Sequence, residues 1–289
     1  MKKIAIAITA GILFSGPAFA AGTSGHKAAP AHETAAAAHG EAAGPACTGF
    51  GPQTPRDIDN VAGDNKRTFN LAPAPEDLNL CNIHLHKNAE HKAKAFPIFA
   101  GKGDGHGYLS GYQCSISKTL TKAEMAPTKK PICDSAHGDL KPGDTIEVHW
   151  VFSSCEVTPG PTLGSCLSEA CANPELRVET QVFTLVNDPS ALDFNTLQYD
   201  GNKVNGLHQP KALPTGTGTP VVFTGSTTGP SYSEQKCSPY QVTWSVRPGC
   251  AKIDINTIGN FCKGNVFKED HAHGVRKLVT DPELLSKIK

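Results

Sequence analysis

The sequence lacks several features that would assign it to common classes of protein. Its 27 basic and 27 acidic residues balance, so no strong field favours nucleic acid or anionic lipid, and we expect neither as a partner. Beyond the N-terminal segment, no apolar run approaches the length that spans a bilayer, which argues against stable membrane insertion. The sequence also has no internal repeat and no Cys-x-x-Cys pair, the spacing typical of redox and zinc-ribbon motifs.

The N-terminus has the pattern of a secretory signal. Two lysines at the start precede a short apolar run over 4–14, and residues 18–20 read Ala-Phe-Ala, the small-x-small form that a signal peptidase needs. No cysteine precedes Cys47, which argues against a lipid anchor on an N-terminal cysteine. We therefore predict a signal peptide over 1–20 and an exported protein, either periplasmic or secreted.

The cysteine content agrees with export. An even number of cysteines in an oxidising compartment predicts disulfides, although the sequence does not give their pairing. The alternative role of these cysteines is to bind a metal as thiolates, which is less common in exported proteins. The ten cysteines are at positions 47, 81, 114, 133, 155, 166, 171, 237, 250 and 262.

The rest of the chain divides by composition. Residues 21–46 are rich in Ala, Gly, Pro and His and contain no large apolar residue, so we predict a disordered tether whose histidines could also scavenge metal. One domain should follow over 47–289. Its 28 Gly and 22 Pro indicate a mainly β fold with short helices and long loops. The predicted strands are 81–86, 145–152, 178–186 and 240–246, and the predicted short helices are 118–126 and one that starts near 280.

The first candidate site lies on the strand over 81–86. Isoleucine and leucine alternate there with two histidines, which is the two-residue period of a β-strand. His84 and His86 therefore project to one face. Ile83 and Leu85 project to the other. Two imidazoles one pleat apart can chelate one metal ion, typically zinc, with copper, iron and nickel as alternatives. This stretch alone is also compatible with a polar strand face whose histidines are solvated and bind no metal.

The predicted strand over 145–152 supplies a third histidine. By the same period, Glu147, His149 and Val151 share one face. His149 can complete a site of three histidines with one open water position, which is the pattern of catalytic zinc. Glu147 can accept the free ring N–H of a ligand histidine, which fixes the tautomer and raises the basicity of the ligand. A surface salt bridge is the alternative role for Glu147.

A hydroxyl-rich segment over 225–230 is the third candidate element. It reads Gly-Ser-Thr-Thr-Gly-Pro, and Val-Thr-Trp follows at 242–244. A hydroxyl beside a zinc-bound hydroxide can accept its hydrogen and so orient its lone pair toward an electrophile. That hydroxyl needs an acceptor of its own, for which Glu90 is a candidate. A threonine-rich β-turn without a metal is the alternative.

In combination, these fragments resemble motifs of the carbonic anhydrases. They occur in the order of the metal and gate motifs of the α class, and most of the chain from Cys47 to about Val279 is similar to the δ class, which has bacterial members. The resemblance implies a single domain around a central twisted, largely antiparallel sheet, α-carbonic-anhydrase-like, with the metal in a cleft on it. The runs that carry the resemblance are 81–92, 147–151, 225–228, 242–244 and 269–276.

The resemblance implies an activity and a cofactor. The activity is the reversible hydration of carbon dioxide to bicarbonate and a proton, by way of a zinc-bound hydroxide. The Zn²⁺ ion would be held by His84, His86 and His149. Glu147 would be the partner of a ligand histidine.

The resemblance also assigns residues around the reacting centre. Thr227 would orient the hydroxide, with Glu90 as its acceptor. Val151 and Trp244 would form the apolar wall of the substrate pocket, and Thr228 would lie beside them. The sequence marks no proton shuttle, and His106 and His208 are candidates that could equally be surface histidines.

Two other functions remain open at this point. The chain could be a non-catalytic exported metal-binding or storage protein that uses its histidine clusters. It could also be a disulfide-rich surface or carbohydrate-binding module with incidental histidines. His271 and His273 form a further His-x-His, either a second metal site or, as we favour, a charge-paired segment near the C-terminus. The oligomeric state is not indicated.

Overall fold

Five β-strands form the sheet on which the candidate site is built. The computed structural model describes residues 47–289, so the predicted signal peptide (1–20) and tether (21–46) lie outside the described residues. The described residues form nine strands in all, of which the central sheet contains five: β1 (Asn79–Lys87), β2 (Ile98–Phe99), β3 (Tyr112–Gln113), β4 (Thr145–Ser153), β5 (Leu176–Val186), β6 (Lys203–Val204), β7 (Leu207–His208), β8 (Val221–Ser226) and β9 (Gln241–Asp254). One α-helix, α1 (Ile255–Lys263), accompanies 3₁₀ turns at Pro75–Asp77, Ser115–Thr119, Leu163–Cys166, Phe194–Thr196 and Pro282–Leu284.

The central sheet is mixed but largely antiparallel. Its strand order is β1-β4-β5-β9-β8. Antiparallel pairing joins β1 to β4, β4 to β5 and β8 to β9, and only β5 and β9 run parallel. The prediction of a mainly β protein around a largely antiparallel sheet is therefore confirmed. In the register of β1 and β4, His84 lies opposite His149, and His86 lies opposite Glu147.

The two faces of this sheet have different roles. Ile83 and Leu85 point to one face and join a large apolar core that also contains Trp150. A second, smaller apolar cluster lies on the opposite face, where β4 contributes Val151 and β9 contributes Trp244. The strand alternation that the sequence predicts is present, because neighbouring residues of β1 and β4 separate onto these two faces.

The helices differ from the prediction. The predicted helix over 118–126 is wrong: a 3₁₀ turn ends at Thr119, and only a turn follows. Thr121 and Glu124 do cap each other, but Pro127 leaves no room for a longer helix. The unpredicted α1 starts at Ile255 and is capped by Asp254, whose side chain accepts from Asn256 N–H. The predicted terminal helix is present as the short turn capped by Asp281.

Disulfides link distant parts of the chain. All ten cysteines are paired, which confirms the prediction of disulfide bonds and is typical of an oxidising, extracellular environment. The pairs are Cys47–Cys237, Cys81–Cys166, Cys114–Cys250, Cys133–Cys262 and Cys155–Cys171. Within the described part of the chain, no helix combines the length and the apolar character needed to cross a membrane.

The core face of β1 gives a prediction about stability. We expect Leu85→Ala to lower the free energy of unfolding by about 2–5 kcal/mol, because this side chain is fully buried and its removal leaves a cavity. Leu71→Ala is the matched control and should change stability by less than about 0.5 kcal/mol, because Leu71 is 53% exposed. Urea unfolding of both variants measures the difference, and equal effects would contradict the assigned strand faces.

Candidate metal centre

Three histidine rings from two neighbouring strands converge on one point. His84 and His86 come from β1 and His149 from β4, and one ring nitrogen of each lies within 4.8 Å of the others. The closest pair is His84 Nε2 and His149 Nδ1, at 3.2 Å. The pairing of β1 with β4 produces this convergence, because residues opposite each other in an antiparallel pair carry their side chains on the same face.

Each of these rings has an oxygen near its outer nitrogen, and His84 and His86 make a hydrogen bond there. His84 Nδ1 lies 2.6 Å from Asn82 Oδ1, and His86 Nδ1 lies 2.9 Å from the Gly274 carbonyl oxygen. His149 Nε2 lies 3.5 Å from Glu147 Oε2, which is longer than an ordinary hydrogen bond. The oxygens beside His84 and His86 accept, so the outer nitrogen of each ring carries the proton and the inner nitrogen carries a lone pair, and the nearby Glu147 oxygen favours the same tautomer for His149.

The inner nitrogens fit a metal ion. His86 Nε2 is buried and has no hydrogen-bond partner within residues 47–289. Two lone pairs that face each other at 3.2 Å, as His84 Nε2 and His149 Nδ1 do, repel unless a cation lies between them. A set of three neutral imidazole nitrogens is a common donor set for zinc and for copper, iron or nickel.

The electrostatics keep two of the ligand candidates neutral. Burial, together with the neighbouring rings of His149 and His86, holds the pKa of His84 well below its usual value. Burial lowers the pKa of His86 to about 4, against the opposing effect of the nearby Glu90 carboxylate. Both rings therefore present a free lone pair at neutral pH, which is the form that binds a metal.

Glu147 is the centre of a buried polar network. Its Oε1 accepts from His91 Nδ1 at 2.9 Å, and its Oε2 accepts from Glu90 N–H at 2.7 Å. Burial would raise the pKa of Glu147, but its interactions with His91, which include a hydrogen bond, and with the nearby His149 ring outweigh that effect. The pKa therefore lies below its ordinary range, and the carboxylate stays ionised beside His149.

Thr227 lies at the centre, but Glu90 is not its partner here. Thr227 lines the same cavity as the three histidines and is hydrogen bonded through its hydroxyl to Ser238. Glu90 Oε1 accepts from Arg276 N–H at 3.0 Å. The other oxygen of Glu90 is buried and has no partner within the described part of the chain. The role of Glu90 as acceptor for Thr227 therefore stays a prediction.

A small cavity opens onto the three histidines. Its volume is about 50 Å³. The predicted pocket residues Val151, Trp244 and Thr228 all line it. Four further apolar residues, which the sequence analysis did not identify, line it as well: Leu163, Leu176, Val178 and Val242. Leu176 and Val178 come from β5 and Val242 comes from β9, whereas Leu163 comes from the 3₁₀ turn Leu163–Cys166.

Sequence reasoning also missed the partners of the first two histidines. Asn82 was identifiable, because it lies two residues before His84 and so shares its strand face. The Gly274 carbonyl had no such indication, because a backbone oxygen can come from any residue type. The segment that contains Gly274 lies beside β1, where an isolated β-bridge pairs His273 with His86.

The other histidines that the sequence singled out within residues 47–289 lie outside the cavity. The rings of His271 and His273 lie within hydrogen-bonding distance of the Asp270 and Glu269 carboxylates, in agreement with the charge-paired interpretation, although the His273 ring lies only 6.0 Å from those of His84 and His86. Neither shuttle candidate lines the cavity. His208 is bonded to Tyr199 through Nδ1, at 2.7 Å, and His106 is exposed.

Three comparisons relate the chain to known proteins. A search of curated proteins finds no match. Two solved structures are similar to the chain: the α-carbonic anhydrase of Photobacterium profundum (16% identity, 78% of this chain, 86% of that chain, TM-score 0.25) and the complex of α-carbonic anhydrase from Thermovibrio ammonificans with the inhibitor sulfanilamide (14%, 78%, 84%, 0.26). These likenesses are too weak to support an argument about the site.

The family comparison is stronger. Residues 75–257, more than half of the chain, match the family described as delta carbonic anhydrase. The matched range contains both strands that carry the three histidines, and also the hydroxyl-rich segment after β8. The chain therefore belongs to the delta carbonic anhydrase family and is a carbonic anhydrase, an enzyme that interconverts carbon dioxide and bicarbonate.

Proposed function

We propose that this carbonic anhydrase uses one zinc ion, held by His84 Nε2, His86 Nε2 and His149 Nδ1, to hydrate carbon dioxide reversibly. The single observation that carries the proposal is the convergence of these three ring nitrogens, with an oxygen near the outer nitrogen of each ring. Three histidine ligands leave one tetrahedral position open, which is typical of catalytic rather than structural zinc.

Zinc suits the donor set and the chemistry. When bound, zinc supplies a hydroxide nucleophile at neutral pH, because it lowers the pKa of a coordinated water to about 7, a value established for carbonic anhydrase itself rather than obtained from this structure. The chain contributes the donors in their neutral form, since the pKa of His86 is about 4.

The outer partners hold the ligands in the required tautomer. Asn82 and the Gly274 carbonyl accept the Nδ1–H of His84 and His86, and the Glu147 carboxylate faces the Nε2–H of His149. These contacts fix the ring orientations and increase the basicity of the ligand nitrogens. The negative charge of Glu147 also offsets part of the positive charge that a metal brings into a buried site.

The cavity holds the substrate and orients the attack. Val151, Trp244 and Leu163 give it an apolar wall, which suits an uncharged gas molecule and excludes bulk water. Thr227 offers the hydroxyl that orients the nucleophile, and Thr228 lies beside it. With zinc held by the three histidines, the reaction would consume carbon dioxide and water and would release bicarbonate and a proton.

Export is part of the proposal. The signal-like sequence over 1–20 and the five disulfides support a periplasmic or secreted enzyme. Carbon dioxide and bicarbonate are the small-molecule partners that this activity requires.

The first test removes the ligand from β4. We expect His149→Ala to lower zinc content well below one ion per chain and to reduce kcat/KM for carbon dioxide hydration more than about 100-fold, since even a lost partner of a ligand costs 10–100-fold. Stopped-flow hydration with a pH indicator, on protein with quantified metal, measures both. His137→Ala is the control, because that ring is exposed and outside the cavity.

The same measurement separates the enzyme from a storage protein. A catalytic site predicts one zinc ion per wild-type chain and rapid hydration. Several metal ions per chain with no turnover would instead indicate the storage function, and one tightly bound zinc with no turnover would reject zinc-dependent catalysis.

The second test concerns the hydroxyl of Thr227. We expect Thr227→Val to lower kcat about 100-fold with zinc content unchanged, because the isosteric side chain cannot orient the nucleophile. Thr227→Ser keeps the hydroxyl and should recover most of the rate. Equal rates for the valine and serine variants would show that the hydroxyl has no catalytic part.

The third test uses acid. Since burial lowers the pKa of His86 to about 4 and that of His84 well below its usual value, protons should not displace the metal near pH 6, where solvated histidines protonate. We expect zinc content after dialysis against a chelating resin to stay near one ion per chain at pH 5.5 and to fall as the pH approaches 4. Loss of half the zinc at pH 6 would contradict neutral, buried ligands.

A further inference from the structure

The hydroxyl of Thr227 has a buried partner that the sequence analysis did not identify. Thr227 lines the metal cavity, and its Oγ1 is hydrogen bonded to the Oγ of Ser238. Both residues belong to the loop over 227–240, which joins β8 to β9. Ser238 is 1% exposed and does not line the cavity, so any effect that it has on the metal centre would pass through Thr227.

The backbone of Ser238 is held at both of its polar groups by one side chain. Ser238 N–H donates to Gln53 Oε1 at 2.9 Å, and Gln53 Nε2 donates to the Ser238 carbonyl oxygen at 3.0 Å. Gln53 is itself buried, and the neighbouring Cys237 forms a disulfide with Cys47. The hydroxyl of Ser238 is therefore carried by a fixed piece of backbone, which is what a group that orients another side chain requires.

The other contacts of Ser238 indicate the direction of its bond to Thr227. A serine hydroxyl has one proton to donate and two lone pairs. Tyr240 N–H donates to Ser238 Oγ at 3.3 Å and uses one of these lone pairs. Within residues 47–289, Thr227 Oγ1 is the acceptor that the Ser238 proton can reach. Because buried hydroxyls rarely leave a proton unpaired, Ser238 donates and Thr227 accepts.

This direction leaves Thr227 the groups that its proposed role needs. Accepting from Ser238 uses one lone pair of Thr227 Oγ1, so its second lone pair and its own proton stay available. The second lone pair can accept a hydrogen from the nucleophile. The proton can go to a carboxylate such as Glu90, one oxygen of which is buried without a partner in the described part of the chain. A hydroxyl with all of these positions used has one orientation, which favours a well-ordered attack.

We propose that Ser238 is a positioning residue, which fixes the Thr227 hydroxyl by donating a hydrogen bond to it. The proposal rests on the proposed function, because it takes Thr227 as the group that orients the nucleophile. It adds a second partner for that hydroxyl, beside the Glu90 carboxylate that the resemblance implies. The competing explanation is that Ser238 only stabilises the loop between β8 and β9.

The first arm of the test measures the hydrogen bond without using activity. Urea unfolding is compared for the zinc-loaded wild type, Thr227→Val, Ser238→Ala and the double variant. We expect each single variant to lower the midpoint, because each removes one partner of the bond and leaves the other buried. The double variant removes both hydroxyls, so its midpoint should be no lower than that of the less stable single variant. Additive shifts would overturn the proposal.

The second arm measures kcat for carbon dioxide hydration in the same four proteins. Ser238→Ala should lower kcat about tenfold with one zinc ion per chain retained, because the Thr227 hydroxyl is then free to rotate. In the Thr227→Val background, the same substitution should change kcat less than about twofold, since no hydroxyl remains for Ser238 to orient.

Ser245→Ala is the matched control for the loss of a buried hydroxyl. Ser245 lies on β9, donates to Glu179 Oε2 at 2.9 Å and does not line the cavity. Its removal should leave kcat within about twofold of the wild-type value, because this hydroxyl has no contact with Thr227. A tenfold loss in Ser245→Ala would show that removal of any buried hydroxyl from β9 or its loop slows the enzyme, and would overturn the specific role of Ser238.

The outcomes separate this proposal from the proposed function. In protein that holds zinc and hydrates carbon dioxide, an unchanged kcat for Ser238→Ala would overturn the role of Ser238 alone. An equal loss of kcat in the wild-type and Thr227→Val backgrounds would also overturn it, because that pattern belongs to a residue that only stabilises the loop. A chain that binds no zinc at the three histidines would overturn both proposals.

Discussion

The register between β1 and β4 is the constraint on which the rest of the centre depends. It sets His84 opposite His149 and His86 opposite Glu147, so one antiparallel pair supplies all three proposed ligands and the carboxylate beside one of them. A slip of one residue would turn the β1 histidines into the apolar core, because side chains alternate between the faces. The burial of Leu85 on the core face and the Cys81–Cys166 disulfide both oppose such a slip.

The centre then follows from the cost of burying polar groups. An imidazole removed from water must satisfy its N–H, and each of the three rings has an oxygen near its outer nitrogen. That arrangement leaves three lone pairs directed at one another, which is unfavourable without a cation. The buried, unpartnered Nε2 of His86 and the ionised Glu147 carboxylate fit together as parts of a site that a divalent metal would complete.

Much of this arrangement could be predicted from local sequence. A two-residue period places His84, His86 and His149 on strand faces without any knowledge of the fold, and Asn82 could have been assigned by the same rule. What could not be predicted depends on contacts between distant segments. The Gly274 carbonyl reaches His86 across a sequence separation of 188 residues, and no residue type marks a backbone acceptor.

The same reasoning explains the other omissions. The parallel pairing of β5 and β9, the pairing of the cysteines and the position of Leu163 over the cavity all depend on which segments meet, and composition does not encode that. Helix α1 was missed because β-branched residues and Gly259 weaken its local preference. It forms because Ile258 and Phe261 bury their side chains in the main core.

The most direct measurement of the central claim is the X-ray absorption fine structure of the zinc-loaded protein. The account predicts a first shell of three imidazole nitrogens at about 2.0–2.1 Å and one solvent oxygen, with the imidazole component reduced in His149→Ala. A shell filled by four protein donors, or one that contains sulfur at about 2.3 Å, would contradict it.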